Sequence, residues 1–516
     1  MALNWPTLNL SDVYAIRSQR DLTLNVSIDQ RVNTGINLNS VLLDPLNYTS
    51  STLSNFATLI QRGVNRVFLD IYWNSISNDW QLCPFVTTNN SATAGNASSL
   101  DETNSTIFAY DGRVYTCDMT ITFANFLSDV VKNQWIYPTD NDLDAQTIVL
   151  TVNLRQPKAA TVITMDSQAV ATKASQATTS ISNIQSGNAT SAASIAMSTS
   201  ESLSAQIDDT LDRYVYTPVQ LKLDRSKALT WNDTGSSSQG WPLLENVLLT
   251  GFYRVLFSFG VIEVPEYNAN LDADYIFSNH DIPNSGSGVI LSSSNFSSSD
   301  LNSMSSSVCS ISNGDYIAIM STGAVVKPSW LIASDTSENP FSAAAMLQYM
   351  KCGFSPILNA TLDSSSDVLQ YLVTALESSR WSWEAGQPPA EPQPTQTVGA
   401  TPTPAGSNVA RCAALTVNGW EVENCDSKFQ VACRVAKSPY NWTLSEKKVS
   451  YYDSVGACTG NSMLSVPRTA IQNTILQSLQ ESVGGSDPVW IDVNCIERPV
   501  GHIPTIGKTE DDTNTQ

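Results

Sequence analysis

His280 and His502 are the only two imidazoles in 516 residues, so acid–base work in this chain would fall to carboxylates. Asp70 stands in a compact apolar run, Val67 to Ile71, and Asp111 and Asp118 bracket the segment DGRVYTCD. Gathered at the open end of an α/β barrel, where such folds carry their chemistry, the three would hold one carboxyl protonated beside an ionised partner. Spacing alone does not bring them together, and a chain with 48 acidic residues keeps most of them solvated. The solvated reading is the simpler one. Trp381 and Trp383 in RWSWEAG suggest a second chemistry, aromatic faces on which a sugar stacks. Rings packed by a last barrel strand are the simpler account. The cysteines lack Cys-x-x-Cys pairs and the histidines are not clustered, so no metal site is specified, and no cofactor is expected.

The elements that would position these groups follow a repeating order. Residues 53–73 carry apolar side chains at helical spacing (Leu53, Phe56, Leu59, Ile60), then Gly63, then a compact strand-like run. The order recurs at 121–135 before 147–154, at 241–249 before 254–264, and at 341–350 before 353–359. Such alternation predicts an α/β fold over 1–385, a TIM-barrel-like or doubly wound sheet. The stretch 247–262 carries Arg254, is too short to span a bilayer and reads as one buried strand. Residues 157–206 and 284–307, rich in Ser and Thr and poor in aromatics, read as mobile surface insertions. A Pro-rich linker at 386–409 leads to a Cys-rich region at 410–500 and a polar tail at 501–516.

Composition narrows the function classes. Only 15% of residues are charged and the formal net charge is −21, with no basic run, which excludes direct binding of nucleic acid phosphates. Eleven Asn-x-Ser/Thr sequons occur, at Asn9, Asn25, Asn47, Asn89, Asn96, Asn104, Asn188, Asn232, Asn295, Asn359 and Asn441. Nine cysteines occur, four of them within 47 residues, which reads as disulfides made in an oxidising compartment. From neighbourhood within the barrel, Cys83–Cys117 and Cys309–Cys352 are expected to pair. Residues 1–20 have neither a basic nor an apolar segment of signal-peptide type. An exported composition without export machinery leads to the expectation of a signal peptide upstream of Met1 and a membrane span downstream of Asn494.

Two regions resemble known folds. RCAALTVNGWEVENCDSKFQVACR (411–434) resembles the back half of a C-type lectin-like domain. Residues 441–494, with Cys458, a helix at 469–480 and the strand at Trp490 and Ile491, resemble the front half. The halves stand in reversed order, as one permuted unit or two incomplete ones; a disulfide-stapled β domain of no named type is the plainer alternative. The resemblance implies Cys412–Cys425, and Cys433–Cys458 if the halves form one unit. Its calcium tripeptide is matched only by Gln387-Pro388-Pro389, which lacks the third ligand, so calcium-dependent sugar binding is not expected. The N-terminal part resembles a phosphatidylinositol phospholipase C-like phosphodiesterase barrel, through Gly63-Val64, the strand with Asp70, and 111–131. That resemblance implies catalytic histidines at the end of the first strand, in Arg17–Asp21, and just before the helix that follows 111–118, in Tyr115–Asp118, and neither segment has one. A pseudoenzyme barrel is the expectation, with Arg17, Arg20, Asp21, Asp70 and Asp118 lining a candidate cleft. For Arg17, Arg20 and Asp21 a buried ion-pair network is the simpler reading.

In order, RSQRD, GVNRVFLDIYW, LDRSKALTW, WSWEAGQP, NGWEVENC and VWIDVN resemble segments of the fungal maintenance of telomere capping protein 6 family, from about Ser11 to Asn494. The resemblance implies a single-pass type I membrane glycoprotein with a lumenal or extracellular bulk. It also implies a non-catalytic, indirect tie to telomere capping, through an unknown protein or glycan ligand. The rival expectation is a secretory phosphodiesterase or glycosidase working with carboxylates. In the family, further cysteines and a span follow the VWIDVN segment; here the polar tail replaces them and leaves Cys495 an orphan, as a truncated gene model would.

Overall fold

Glycines make the recurring joint of the first domain. In the computed structural model, helix Asn55–Gln61 ends where the Gly63 N–H bonds the Ile60 carbonyl and the Val64 N–H bonds that of Leu59. Gly63 takes φ 102° there, a conformation a Cβ disfavours, and the chain enters the strand Arg66–Asn74. Gly353, at φ 84°, does the same between helix Ala343–Lys351 and strand Ser355–Leu358. Helix starts are as local: Ser202, Thr217, Ser342, Ser364 and Thr469 each accept a backbone N–H from the first turn of a helix. The structure describes residues 2–87, 105–162, 202–283, 329–389 and 412–494, apart from Ile76, Asp233, Thr234, Lys437, Gly484 and Ser486, with the backbone of 291–292 and 505–506.

Eight strands follow: β1 (Gly35–Asn37), β2 (Arg66–Asn74), β3 (Ile148–Arg155), β4 (Val255–Ile262), β5 (Ile276–Phe277), β6 (Leu291–Ser292), β7 (Ile332–Ser334) and β8 (Ser355–Leu358). They stand in the order β5-β4-β3-β2-β1-β8-β7-β6, every ladder along this path parallel, and a ninth strand, Asp79–Gln81, pairs antiparallel with the end of β2. The pairing of β8 with β1 makes chain order circular, and among the described residues no ladder joins β5 to β6. This is a partial α/β barrel. β2 and β3 are buried along nearly their whole length, as parallel strands covered on both faces are. The expected helix-then-strand pairs at 53–73, 121–154 and 341–359 are present. The stretch 247–262 is not one strand: it holds a helical turn Asn246–Thr250, a reversal at Gly251 and Phe252 (φ 56°), and then β4. Arg254 at that reversal is buried and reaches Asp140 at 3.0 Å.

Beyond the C-terminal ends of β2 and β3 the chain builds a four-stranded sheet in the order 85–87, 158–162, 105–110, 113–118. Phe85 packs against Phe108, Tyr110 and Tyr115 within it, and a disulfide joins Cys83 to Cys117. The expected insertion 157–206 therefore begins as strand and ends as helix Leu203–Leu211; residues 163–201, and 284–307 apart from β6, lie outside the described residues. Cys352 is disulfide-bonded, and its expected partner Cys309 also lies outside them.

The C-terminal region folds around β9 (Cys412–Thr416), β10 (Gly419–Glu423), β11 (Gln430–Val435), β12 (Trp442–Leu444), β13 (Ser462–Leu464) and β14 (Val489–Asn494). The order is β10-β9-β14-β11-β12, with β13 also on β11. β14 pairs with both β9 and β11, so segments 411–434 and 441–494 share one sheet. Disulfides join Cys412 to Cys425 and Cys433 to Cys458. Trp381 and Trp383 are neither a sugar face nor a last barrel strand, which is β8. Both are buried edge-on against Trp420, with centroids 6.0 and 5.7 Å away, where the two regions meet.

Candidate functional site at the C-terminal ends of the strands

Parallel register sets side chains of adjacent strands at the same level, and Asp70 of β2 pairs with Asn153 of β3. Asn153 Nδ2 donates to Asp70 Oδ1 at 2.6 Å, Arg155 Nε lies 3.4 Å from Asp70 Oδ2, and Arg155 also pairs with Glu263. Asn153 Oδ1 accepts the Val261 N–H at 2.8 Å, where the β3–β4 ladder shifts register. A Cβ on Gly260 would stand 1.8 Å from that oxygen, so the side chain reaches across only because residue 260 is glycine. On the other side Asn39 Oδ1 accepts the Asp70 N–H at 2.7 Å. Asn37 Oδ1 accepts the N–H of Asn39 at 3.1 Å, and its Nδ2 donates to Asn359 Oδ1 at 2.8 Å. The mouth of the barrel between β8, β1, β2, β3 and β4 is thus laced by its own side chains.

Burial raises the pKa of Asp70, against the pull of Arg155 and the Asn153 hydrogen bond. Asp44, which accepts the Tyr48 hydroxyl, is likewise raised by burial, with that hydrogen bond and Lys158 opposing and the Asp70 charge adding. Burial, then Asp70 and Asp44, push the Tyr72 hydroxyl up as well. Two carboxyls whose pKa burial raises, beside arginine and lysine, are the acid–base inventory of this mouth.

Of the candidate catalytic and cleft residues singled out from the sequence, Asp70 alone belongs to this network, which also takes in the sequon residue Asn359. Asp118 sits in the hairpin, where its carboxylate accepts from Thr120 N and Oγ1 at 3.0 and 2.6 Å and fixes its own turn. Asp111 occupies the exposed hairpin turn at φ 48°. Arg17, Arg20 and Asp21 do not line the mouth. They lie on helix Leu10–Leu22, capped by Asn9, at the opposite end of the strands. Arg20 bonds Asp21 at 2.6 Å and the carbonyls of Leu143 and Ala145, just ahead of β3, and Arg17 pairs with Asp144. The expectation of a strand end there fails because the Asn cap and the following residues favour helix. Asp44, Asn153, Arg155 and Glu263 were missed. Asn153 and Arg155 had a signal, their place at the end of a legible strand; Asp44 and Glu263 lie in connections and had none.

Among the described residues no group of His, Cys, Asp and Glu is arranged to hold a metal ion, and no helix is long and apolar enough to cross a membrane. His280 is exposed after β5, and His502 lies outside the described residues. Asn9 and Asn441 are exposed, and Asn25, Asn47 and Asn359 half-buried. Asn232 begins a short hairpin, and Asn89, Asn96, Asn104, Asn188 and Asn295 lie outside the described residues.

Circular order of the parallel strands and the laced mouth define a partial TIM-barrel protein carrying a disulfide-bonded C-terminal unit. The family model described as the MTC6 partial TIM-barrel domain matches residues 6–381. The chain belongs to the maintenance of telomere capping protein 6 family. Similar curated relatives bear that name in Candida albicans (27% identity, 96% of this chain and 83% of the relative), Komagataella phaffii (25%, 96% and 83%) and Yarrowia lipolytica (26%, 96% and 81%). No solved structure matches the chain.

Proposed function

We propose that this chain is the lumenal or extracellular bulk of a non-catalytic membrane glycoprotein that supports telomere capping indirectly. In this reading its barrel is a phosphodiesterase-like scaffold without the chemistry, and its C-terminal unit is a permuted lectin-like domain that meets a protein or glycan. The observation that carries the reading is the mouth, where Asp70, Asn153, Arg155 and Glu263 bond one another. Two-histidine phosphodiester cleavage needs one imidazole as base and another as acid, and neither expected segment supplies one. Disulfides and sequons support an oxidising compartment, the net charge of −21 opposes contact with DNA, and the relatives' name supports the link to capping. The test is turnover of phosphatidylinositol and of a soluble phosphodiester by the purified glycosylated protein, with and without divalent metal. No turnover above that of an Asp70→Ala variant is expected.

A carboxylate hydrolase is the second reading, and the raised Asp44 and Asp70 favour it. Turnover of a phosphodiester or glycoside that disappears in Asp44→Asn or Asp70→Asn protein would install it in place of the first.

A further inference from the structure

The opposite end of the barrel holds more positive charge than its own acids balance. A cavity of about 30 Å³, partly open to solvent, lies between helix Leu10–Leu22 and the residues that precede β1, β2 and β3, and Arg20, Arg31, Arg62 and Arg380 line it. A second, also of about 30 Å³, shares Arg31 and Asn65 with it and adds Arg66. Two of these arginines are spent on carboxylates: Arg20 on Asp21 at 2.6 Å, and Arg380 on Asp12. Three are not. Arg31 donates through Nε to Thr23 Oγ1 at 3.2 Å. Arg66 is buried and donates to the carbonyls of Trp330 at 3.3 Å and Pro283 at 2.5 Å, its Nε left without a partner. Arg62 is buried, donates to the Pro6 carbonyl, and also has an unpartnered Nε. Among the described residues none of these three has a carboxylate within ion-pair distance.

We propose that the first cavity is an anion site, centred on Arg31 and flanked by Arg62, that takes a small phosphate-type oxyanion. Arg62 lies over the Trp5 ring and feels Asp12 and Glu377, and Arg66 lies over the Phe68 and Trp330 rings; among the described residues Arg31 has no such partner, and a cation below the surface carries a desolvation cost that a bound anion offsets. Burial already lowers Arg66 to about 9 and Arg31 to about 10, so both stay charged at neutral pH and have reason to take a partner. The guanidinium fork matches two oxygens of one phosphate, and Asn33 and Asn65 on the same wall offer amide donors. In a chain of net charge −21, this concentration of arginine is not a general surface property. The site is separate from the strand mouth discussed above and does not depend on the proposed function.

Calorimetric titration of the full chain with inorganic phosphate, at fixed ionic strength against chloride, tests it. Saturable millimolar or tighter binding is expected, at least about tenfold weaker in Arg31→Gln, and unchanged in Arg17→Gln, whose partner Asp144 is a surface residue. Parallel arms with glycerol 3-phosphate and with phosphatidic acid vesicles separate a free phosphomonoester from a lipid headgroup, and binding in any arm that is lost in Arg31→Gln supports the site. If Arg31→Gln does not fold, Asn65→Asp, which sets a negative charge on the wall, must weaken phosphate binding instead. Absence of saturable binding in every arm, or binding equal in the wild type and the cavity variant, overturns the proposal.

Discussion

Two side chains at the barrel mouth show how far single residues decide this site. Asp44 is raised first by burial, with the charge of Asp70 adding to it. A carboxyl whose folded pKa exceeds its unfolded value binds more protons in the folded state. Its contribution to stability is therefore present below the unfolded pKa and lost as pH rises through the folded one. Asp44→Asn keeps an acceptor for the Tyr48 hydroxyl and removes the charge. Its urea midpoint should exceed that of the wild type at about pH 7 and match it below about pH 4. An equal or lower midpoint at neutral pH would show that Asp44 is held ionised by Tyr48 and Lys158. At Gly260 the argument is steric. The Cβ of Gly260→Ala meets Asn153 Oδ1, an atom already committed to the Val261 N–H, and its displacement also loosens the bond to Asp70. A loss of about 1–3 kcal/mol is expected in equilibrium unfolding; a change within about 0.5 kcal/mol would mean that Asn153 has room to turn aside.

At the scale of elements, the small sheet 85–87, 105–118 and 158–162 rests on the Cys83–Cys117 bond, which closes a separation of 34 residues. Replacing both cysteines with Ala should cost about 2–4 kcal/mol and make 105–118 the first segment cut in limited proteolysis. Unaltered cleavage order would assign the sheet's stability to the Phe85 cluster instead. The same elements show what a sequence makes legible. β2, β3 and the helices before them were legible because long apolar runs follow apolar residues at helical spacing, across a glycine joint in the case of β2. β5, β6 and β7, of two or three residues each, have no period to read, and only their neighbours' ladders place them. The helix at Leu10–Leu22 was missed because a fold resemblance put a strand end at Arg17–Asp21, against the local signal of Asn9 before a helix. The mouth network was half legible: Asp70 stood out by its place in an apolar run, while its partners come from strands distant in sequence, brought level by register.

Across the whole molecule, the two regions share a core rather than a loose tether. Ala15 and Leu22 of the first helix, Met350, Trp381 and Trp383 pack in one cluster with Trp420, Leu476 and Ile491 of the C-terminal unit. Polar bonds run through it as well: Trp383 Nε1 donates to Ser18 Oγ at 2.7 Å, Trp420 Nε1 to Asn473 Oδ1 at 2.8 Å, and Asn473 Nδ2 to the Trp381 carbonyl at 3.1 Å. Residues 386–389, the start of the expected linker, stay with this junction, where Gln387 Oε1 accepts the Val422 N–H at 3.3 Å. The C-terminal unit therefore closes the bottom of the barrel at the side where helix Leu10–Leu22 lies, and neither region should keep its stability alone. The full chain is expected to unfold in a single calorimetric transition. Trp420→Ala, which empties the centre of the shared cluster, should lower that transition by about 3–5 kcal/mol and keep it single. A fragment ending at residue 385 exposes Trp381, Trp383 and Met350, and should aggregate or melt below the full chain. Two resolved transitions, with Trp420→Ala shifting only the one that belongs to the C-terminal unit, would instead make the regions independent domains.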